Sequence, residues 1–470
     1  MNSRAYQENS IDQIREKFKQ GYGKVLLWLA TGGGKTFIFC KMVKEASLKG
    51  KKCIIVVRGR KLVDQASQRL FREGVTHGVL MANHWNYRPT ESVQVCSIDT
   101  LISRKLRPVA DLIIIDEAHL SSSNGYKEFL YDYPKSFIVS VTATPWVESG
   151  LRHVADQVVH PITMQGLIDL GFLVPFRYFA PSEPDLTNVE VSRSTKDYVT
   201  NQLEDAMVAG QLTGKIIHHW KKIVVDKPTI CFAVNVNHSK ILVDRFNQEG
   251  IRAEHCDADI QDSERNEIIK RLESGETKVV SNVGIFCTGV DIPSLGAIIM
   301  ARPTKSLNLF IQQAGRGARI FEGKSDCILL DHAGNIGRHG FPTDEYDPDL
   351  DGEEPKERTQ KEAKICKACF AAYKGVMCPE CGTEPPAREI NIKETDEELK
   401  EIKGHLDPVR KIFKELMKES KKTGKKTAWV YYKLVDKVGF DTARPYLPQW
   451  FIEKQTNSLF ARSPYVPFKP

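Results

Sequence analysis

Residues 29–37 read LATGGGKTF and follow the apolar run VLLW, so three consecutive glycines precede a lysine and a threonine. Glycine in such a place costs backbone entropy and offers nothing to pack. What it permits is a turn whose N–H groups converge on one point. A helix starting near Lys35 aims the positive end of its dipole at the same point, and the fitting guest is a phosphate. In this reading Thr31, Gly32, Gly33 and Gly34 form the turn. Lys35 reaches the β- and γ-phosphates of ATP, and the Thr36 hydroxyl ligates Mg²⁺. Leu29 stands where the strict G-x-x-x-x-G-K-[ST] pattern has its first glycine, so the plain alternative is a flexible strand-to-helix turn. A second stretch, LIIIDEAHL, weighs against that alternative. Its apolar run ends in Asp116 and Glu117, at the carboxyl end of a strand, where open α/β sheets bind ligands. Adjacent acids there are costly unless a cation or a proton-transfer task holds them. Asp116 is assigned to Mg²⁺ and Glu117 to the general base that orients an attacking water.

Near the C-terminus, ICKACFAAYKGVMCPECG sets Cys366 and Cys369 in one C-x-x-C pair and Cys378 and Cys381 in another, eight residues on. Two such knuckles can hold four thiolates around Zn²⁺. A disulfide pair or a redox dithiol is the alternative. With every ligand place taken, the zinc is structural, and it supplies folding energy to a module too small to hold a core. The other seven of the eleven cysteines lie singly, mostly in apolar segments, as small hydrophobes do. The tail that follows mixes Lys421, Lys422, Lys425 and Lys426 with Trp429. Lysines suit phosphates and rings suit bases, although lysine runs are more often solvated faces.

These groups need elements to position them. Between residues 22 and 144 short β-branched runs (KVLLWL, KCIIVV, VQVCSI, LIIIDE, FIVSVTAT) alternate with helix-like stretches, and a second set (TICFAV, RAEHCD, TKVVSN, AIIMAR, DCILLD) follows. Runs apolar on both faces and joined by helices imply buried parallel sheets. The expected class is α/β. Residues 1–150 make a first lobe, 151–214 a connecting segment and 215–340 a second lobe. Residues 341–362 are an acidic linker, 363–385 a small zinc-ribbon-like module and 386–470 a basic, mostly helical region. With 470 residues, the chain has room for several cores. A net charge of +7 permits an anionic partner. No apolar run approaches the ~20 residues needed to span a bilayer, and the first residues lack a signal-like apolar core. The expected place is the cytoplasm of a bacterium or phage-infected cell, or the nucleus of a eukaryote.

ATGGGKT, DEAH, SVTATP and QQAGRGAR, in this order along residues 1–340, closely resemble the motif set of superfamily 2 helicases and translocases. RPTKSLNLFIQQAGRGARIFEGKSDCILLDHAGN is most similar to RadD-type helicases and to branch-migration helicases of large phages. The resemblance implies two RecA-like lobes with an ATP cleft between them. It also implies roles for single positions. Arg4, Tyr6 and Gln7 match an adenine-contacting entry, with Gln7 on the adenine edge and Tyr6 stacked nearby. Arg58 and Arg60, then Ser97 and Thr100, match strand-contacting motifs that grip backbone phosphates. Thr142 and Thr144 match the motif that couples hydrolysis to movement, with His119 bonded towards it. Thr288 and Gly289 would face phosphate, and Asp291 the ribose or the arginines. Gln312, Arg316 and Arg319 complete the catalytic set, the arginines as fingers on the γ-phosphate.

The function expected from these residues is an ATP-dependent DNA helicase or translocase that uses ATP, Mg²⁺ and Zn²⁺. Its expected work is to unwind or branch-migrate forked or junction DNA in replication, recombination or repair. An RNA helicase, the motor subunit of a restriction system and an ATP-gated nucleic-acid scaffold stay open as alternatives. A monomer suffices for two lobes, oligomers are left open, and no membrane partner is expected.

Overall fold

The computed structural model describes residues 3–147, 149–181, 184–193, 195–209, 212–287, 291–348, 350–352, 363–383, 408–448 and 450–452. The chain divides into two compact units, residues 1–387 and 388–470.

The first unit opens with a sheet of β1 (Lys24–Trp28), β2 (Cys53–Val57), β3 (Gly78–Leu80), β4 (Val93–Ser97), β5 (Leu112–Ile115), β6 (Phe137–Thr142) and β7 (Gln157–Val159). Their order is β3-β4-β2-β5-β6-β1-β7, parallel throughout. Every residue of β2, β4 and β5 is buried, as strands between two helix layers require. One face packs around Ile11, Phe39 and Val63 from helices Ala5–Lys19, Lys35–Leu48 and Arg60–Arg72. The opposite face packs around Tyr126 and Phe129 of helix Asn124–Tyr131.

This lobe runs past residue 150. β7 pairs with β1, and Met164 and Leu167 of helix Met164–Asp169 lie in the same core. The second lobe begins earlier than residue 215. Its sheet holds β8 (Phe176–Phe179), β9 (Thr229–Phe232), β10 (Ala253–Cys256), β11 (Val279–Asn282), β12 (Ala297–Met300) and β13 (Cys327–Asp331) in the parallel order β10-β11-β9-β12-β13-β8. The connecting segment therefore supplies the last strand of one sheet and an edge strand of the other.

The acidic stretch from residue 341 is not a free linker over its described part. Tyr346 packs edge-on against Trp146 of the first lobe at 5.1 Å. The Trp146 indole donates to the Asp347 carbonyl at 2.9 Å. Leu350 is buried in the first lobe's core, its carbonyl accepting from Leu151 N at 2.7 Å, and Arg152 holds Asp351 with two 2.7 Å bonds. Residues 341–348 and 350–352 thus form a strap from the second lobe onto the first.

The cysteine segment folds as a two-stranded antiparallel hairpin, β14 (Lys364–Ile365) and β15 (Ala372–Tyr373). It docks on the β8 edge. Ala371 bridges Phe179, Ala180 N donates to Phe370 O at 3.0 Å, and Arg177 pairs with Glu380 at 3.0 Å. An edge strand left bare would invite other strands, and this module covers it. The second unit contains helices Pro408–Thr423, Thr427–Val438 and Phe440–Ala443 around Leu416, Val430, Leu434 and Phe451.

Candidate active site

The turn after β1 is built around its glycines. Gly34 caps helix Lys35–Leu48 with φ 84°, a left-handed conformation that side chains resist. A Cβ there would also stand 2.5 Å from the Gln7 amide. Leu29 is wholly buried in the core behind the turn, which is why a leucine serves at that place. The Lys35 ammonium donates to the Leu29 carbonyl at 3.1 Å. Burial pulls its pKa below the ordinary lysine range, while the Glu117 and Asp116 charges pull it back.

At the end of β5 the Asp116 carboxylate accepts from Glu117 N at 2.9 Å. Burial, then the Glu117 charge, raise its pKa well above the ordinary carboxylate range, with Lys35 opposing. Glu117 itself sits at φ 49°, ψ 53°, a left-handed backbone that costs a non-glycine residue about 1 kcal/mol or more. A buried acid held against its solvation beside a phosphate-type turn is the donor chemistry of a divalent-cation site, and Thr36 and Asp116 line one cleft.

That cleft encloses 940 Å³, at the upper end for small-molecule sites. Arg4, Gln7, Lys35, Asp116 and Glu117 of the first lobe face Asp291, Arg316 and Arg319 of the second across it. Arg316 follows helix Leu307–Gly315 and is 9% exposed. Arg319 pairs with Asp291, and burial pushes its pKa down to about 10. The helix comes this close because position 315 is glycine: a Cβ there would stand 2.8 Å from the Thr31 side chain.

Several expected residues fall elsewhere. The Tyr6 hydroxyl donates to the Gly33 carbonyl at 2.8 Å, and its ring is buried in the core rather than presented to the cleft. Phe172 takes the open position instead, with the Arg4 guanidinium 4.2 Å above its ring. No residue type or spacing in GFLVP signals this. Gln68, Arg69 and Arg72, on one face of helix Arg60–Arg72, also line the cleft and escaped the sequence reading, and with them stands Gln65, which the sequence suggests only as a support of the fold.

Gln312 does not line the cleft among the described residues; its amide donates to His119 Nε2 at 2.9 Å and to the Thr144 hydroxyl at 3.2 Å. Its placement is that of a bridge rather than a reacting group. His119 Nδ1 lies 3.0 Å from the Thr142 hydroxyl and 3.4 Å from Glu117. Thr142 donates onward to the Thr144 carbonyl at 3.1 Å. Burial keeps the His119 pKa low, so the neutral ring accepts on Nε2 and donates from Nδ1. A chain of contacts therefore runs from the second lobe through Gln312 and His119 to within 3.4 Å of Glu117.

Arg58 and Arg60 are exposed after β2, whereas Ser97 and Thr100 are 4% and 8% exposed, poorly placed as phosphate donors. Thr288 and Gly289 lie outside the described residues, as does the Lys421 side chain. Lys422, Lys425 and Lys426 are exposed. Trp429 leans on the helical unit's core with the Lys425 ammonium 4.1 Å from its ring centre, so its face is not free for a base. The sulfurs of Cys366, Cys369, Cys378 and Cys381 all lie within 4.8 Å of one another. Cys366–Cys381 and Cys369–Cys378 are 3.5 and 3.6 Å apart, near the ~3.8 Å edge of a tetrahedron with 2.3 Å zinc–sulfur bonds.

Residues 1–147 match the family described as type III restriction enzyme, res subunit, and residues 214–321 the helicase conserved C-terminal domain. A 51.5 kDa protein of a Lactococcus phage (isolate 7-9) is 28% identical over 392 residues, covering 81% of each chain. A Saccharomyces cerevisiae protein provisionally named ATP-dependent helicase IRC3 is 30% identical over 369 residues, 72% of this chain. The chain spans 53% of that yeast protein's length. A solved fragment assigned as the HsdR subunit of a type I restriction enzyme from Vibrio vulnificus YJ016 shares the fold, with a TM-score of 0.57 at 21% identity over 74% of this chain and 67% of that one. No described helix is long and apolar enough to cross a membrane. One family matched on each lobe, and a cleft that takes its charged residues from both, make the chain a member of the superfamily 2 helicases, enzymes that hydrolyse ATP as they act on nucleic acid.

Proposed function

We propose that the chain is an ATP-driven DNA motor that unwinds or branch-migrates forked or junction DNA in replication, recombination or repair. The observation that carries the motor reading is the divided cleft: Lys35, Asp116 and Glu117 on one lobe, Arg316 and Arg319 on the other. ATP touches both walls only when the cleft is closed, so its hydrolysis weakens the closed state. Lys35 and the turn hold the phosphates. Glu117 orients the water and takes its proton, and Arg316 and Arg319 offset charge on the transferring phosphoryl group. Thr36 and Asp116 would hold Mg²⁺, which would neutralise charge on the phosphate oxygens as a Lewis acid. The His119–Gln312 bridge reports the state of Glu117 to the second lobe. Arg58 and Arg60 supply contacts to backbone phosphates that carry no sequence information. Support for branched DNA comes from the RadD-like motif set, the appended cysteine module and the exposed lysines of the helical unit. The four thiolates would hold a structural zinc that fixes the module on β8.

A restriction-system motor is the second reading. The match to the res-subunit family and the likeness to the HsdR fragment favour it. The deciding test is steady-state ATP hydrolysis without nucleic acid and with single-stranded DNA, duplex, fork, four-way junction and RNA, beside a strand-displacement assay. Stimulation by fork or junction with displacement supports the proposal. Stimulation by plain duplex without displacement favours the restriction motor, and stimulation by RNA alone overturns both.

A further inference from the structure

The cleft uses only one face of helix Arg60–Arg72. Gln65, Gln68, Arg69 and Arg72 point into it. The next face, Arg60, Asp64, Ser67 and Phe71, has the i, i+4, i+7, i+11 spacing of one stripe, and the chain on either side of β3 lies along it. Arg60 donates to the Ala82 carbonyl at 3.2 Å, Asp64 accepts from His84 at 3.0 Å, and Ser67 meets His77 at 2.7 Å. At the stripe's end the Trp85 ring stacks on Phe71, 5.7 Å between centres and 14° between planes.

Trp85 is 76% exposed, Phe71 46% and Tyr87 49%. Isolated exposed apolar groups need no explanation, but an exposed stacked pair with a third exposed aromatic two residues on does. Nor is the loop loose. The residues flanking Trp85 are pinned: His84 by Asp64, and Asn86 by its amide to the His77 carbonyl at 3.1 Å and its own carbonyl to Val79 N at 2.9 Å. The fold holds a tryptophan face in water at a fixed place, three residues before the exposed Arg88 of the same loop, while Arg58 and Arg60 are exposed at the other end of the helix. Fixed aromatic faces beside arginines are what a single strand needs, since every base has a face to stack and every phosphate a charge to meet.

From these contacts we infer that Trp85, backed by Phe71, is a base-stacking platform for single-stranded nucleic acid on the outer flank of the first lobe. It takes the strand gripped by Arg58 and Arg60. Phe71 lies eleven residues from Arg60, about 16 Å of helix rise, so the platform meets bases a few nucleotides from that grip. The inference rests on the motor reading, and the experiment separates the two.

The full chain is titrated with oligodeoxythymidylate and with an abasic strand of equal length and charge. The unaltered chain should bind the abasic strand more weakly. Trp85→Ala should narrow that gap by about five- to a hundredfold, and Trp85→Phe should keep most of it. ATP hydrolysis without nucleic acid should be the same in all three, because neither Trp85 nor Phe71 is among the residues that line the cleft. If Trp85→Ala separates the two strands as well as the unaltered chain does, the platform is wrong. A loss of protein association in its place would assign the patch to a protein partner and equally overturn the inference. Failure of the unaltered chain to bind either strand would instead overturn the motor reading.

Discussion

On the first-lobe wall of the cleft, Gly34, Asp116 and Glu117 take their positions from the backbone of their own lobe. On the second-lobe wall, Arg316 and Arg319 follow a helix end that is set by the other lobe: Gly315 against Thr31, Gln312 on His119, and Arg319 bridged to Leu173, which packs in the first lobe's core. One wall is preassembled. The other is assembled by the interface. The difference assigns ground-state binding to the first wall and transition-state work to the second.

Four outcomes break or sharpen that contrast. Arg316→Ala should slow hydrolysis by about 10³–10⁵-fold while nucleotide affinity moves by less than about tenfold, read by single-turnover hydrolysis beside fluorescent-nucleotide binding. An equal collapse of affinity would mean that the second wall also binds the ground state. Glu117→Gln should cost about 10²–10⁴ in turnover and leave ATP and DNA binding intact; normal hydrolysis would remove Glu117 as the base. Gln312→Ala removes a bridging hydrogen bond worth about 1 kcal/mol. It should lower nucleic-acid stimulation about fivefold with little change in unstimulated turnover. Uniform loss in both would make Gln312 part of the reacting set after all. Arg152→Ala breaks a pair whose side chains are 56% and 58% exposed, so thermal stability should fall by no more than about 1 kcal/mol. A larger drop would show that the strap carries more of the interface than its buried Leu350 and Tyr346.

The cleft was legible because its chemistry leaves local marks. Three glycines before a lysine, two acids after an apolar run and arginines between glycines each stand within a few residues. The strap left no such mark. Its sequence is acidic, and the partners that hold it, Trp146, Leu151 and Arg152, lie about 200 residues away. Tyr346 and Leu350 are too few to reveal a buried face. β7 and β8 escaped for a related reason: each is short, and its place in a sheet is decided by long-range pairing. Ser97 and Thr100 show the reverse error, since a hydroxyl of the right type at a strand end can be packed away. Trp429 is similar, an aromatic beside lysines that serves its own core. Trp85 and Phe71 are fourteen residues apart, and only the helix stripe brings them together.

The strap has a consequence for how the lobes can move. The chain crosses between them first through residues 160–175 and again through 341–352, and it re-enters the second lobe's packing at Ala363. A body tied at one point can swivel in any direction. Tied at two, it keeps one easy rotation, about the line joining the ties. The two crossings therefore act as the pins of a door hinge, turning the lobes' freedom into a single swing that opens or shuts the cleft.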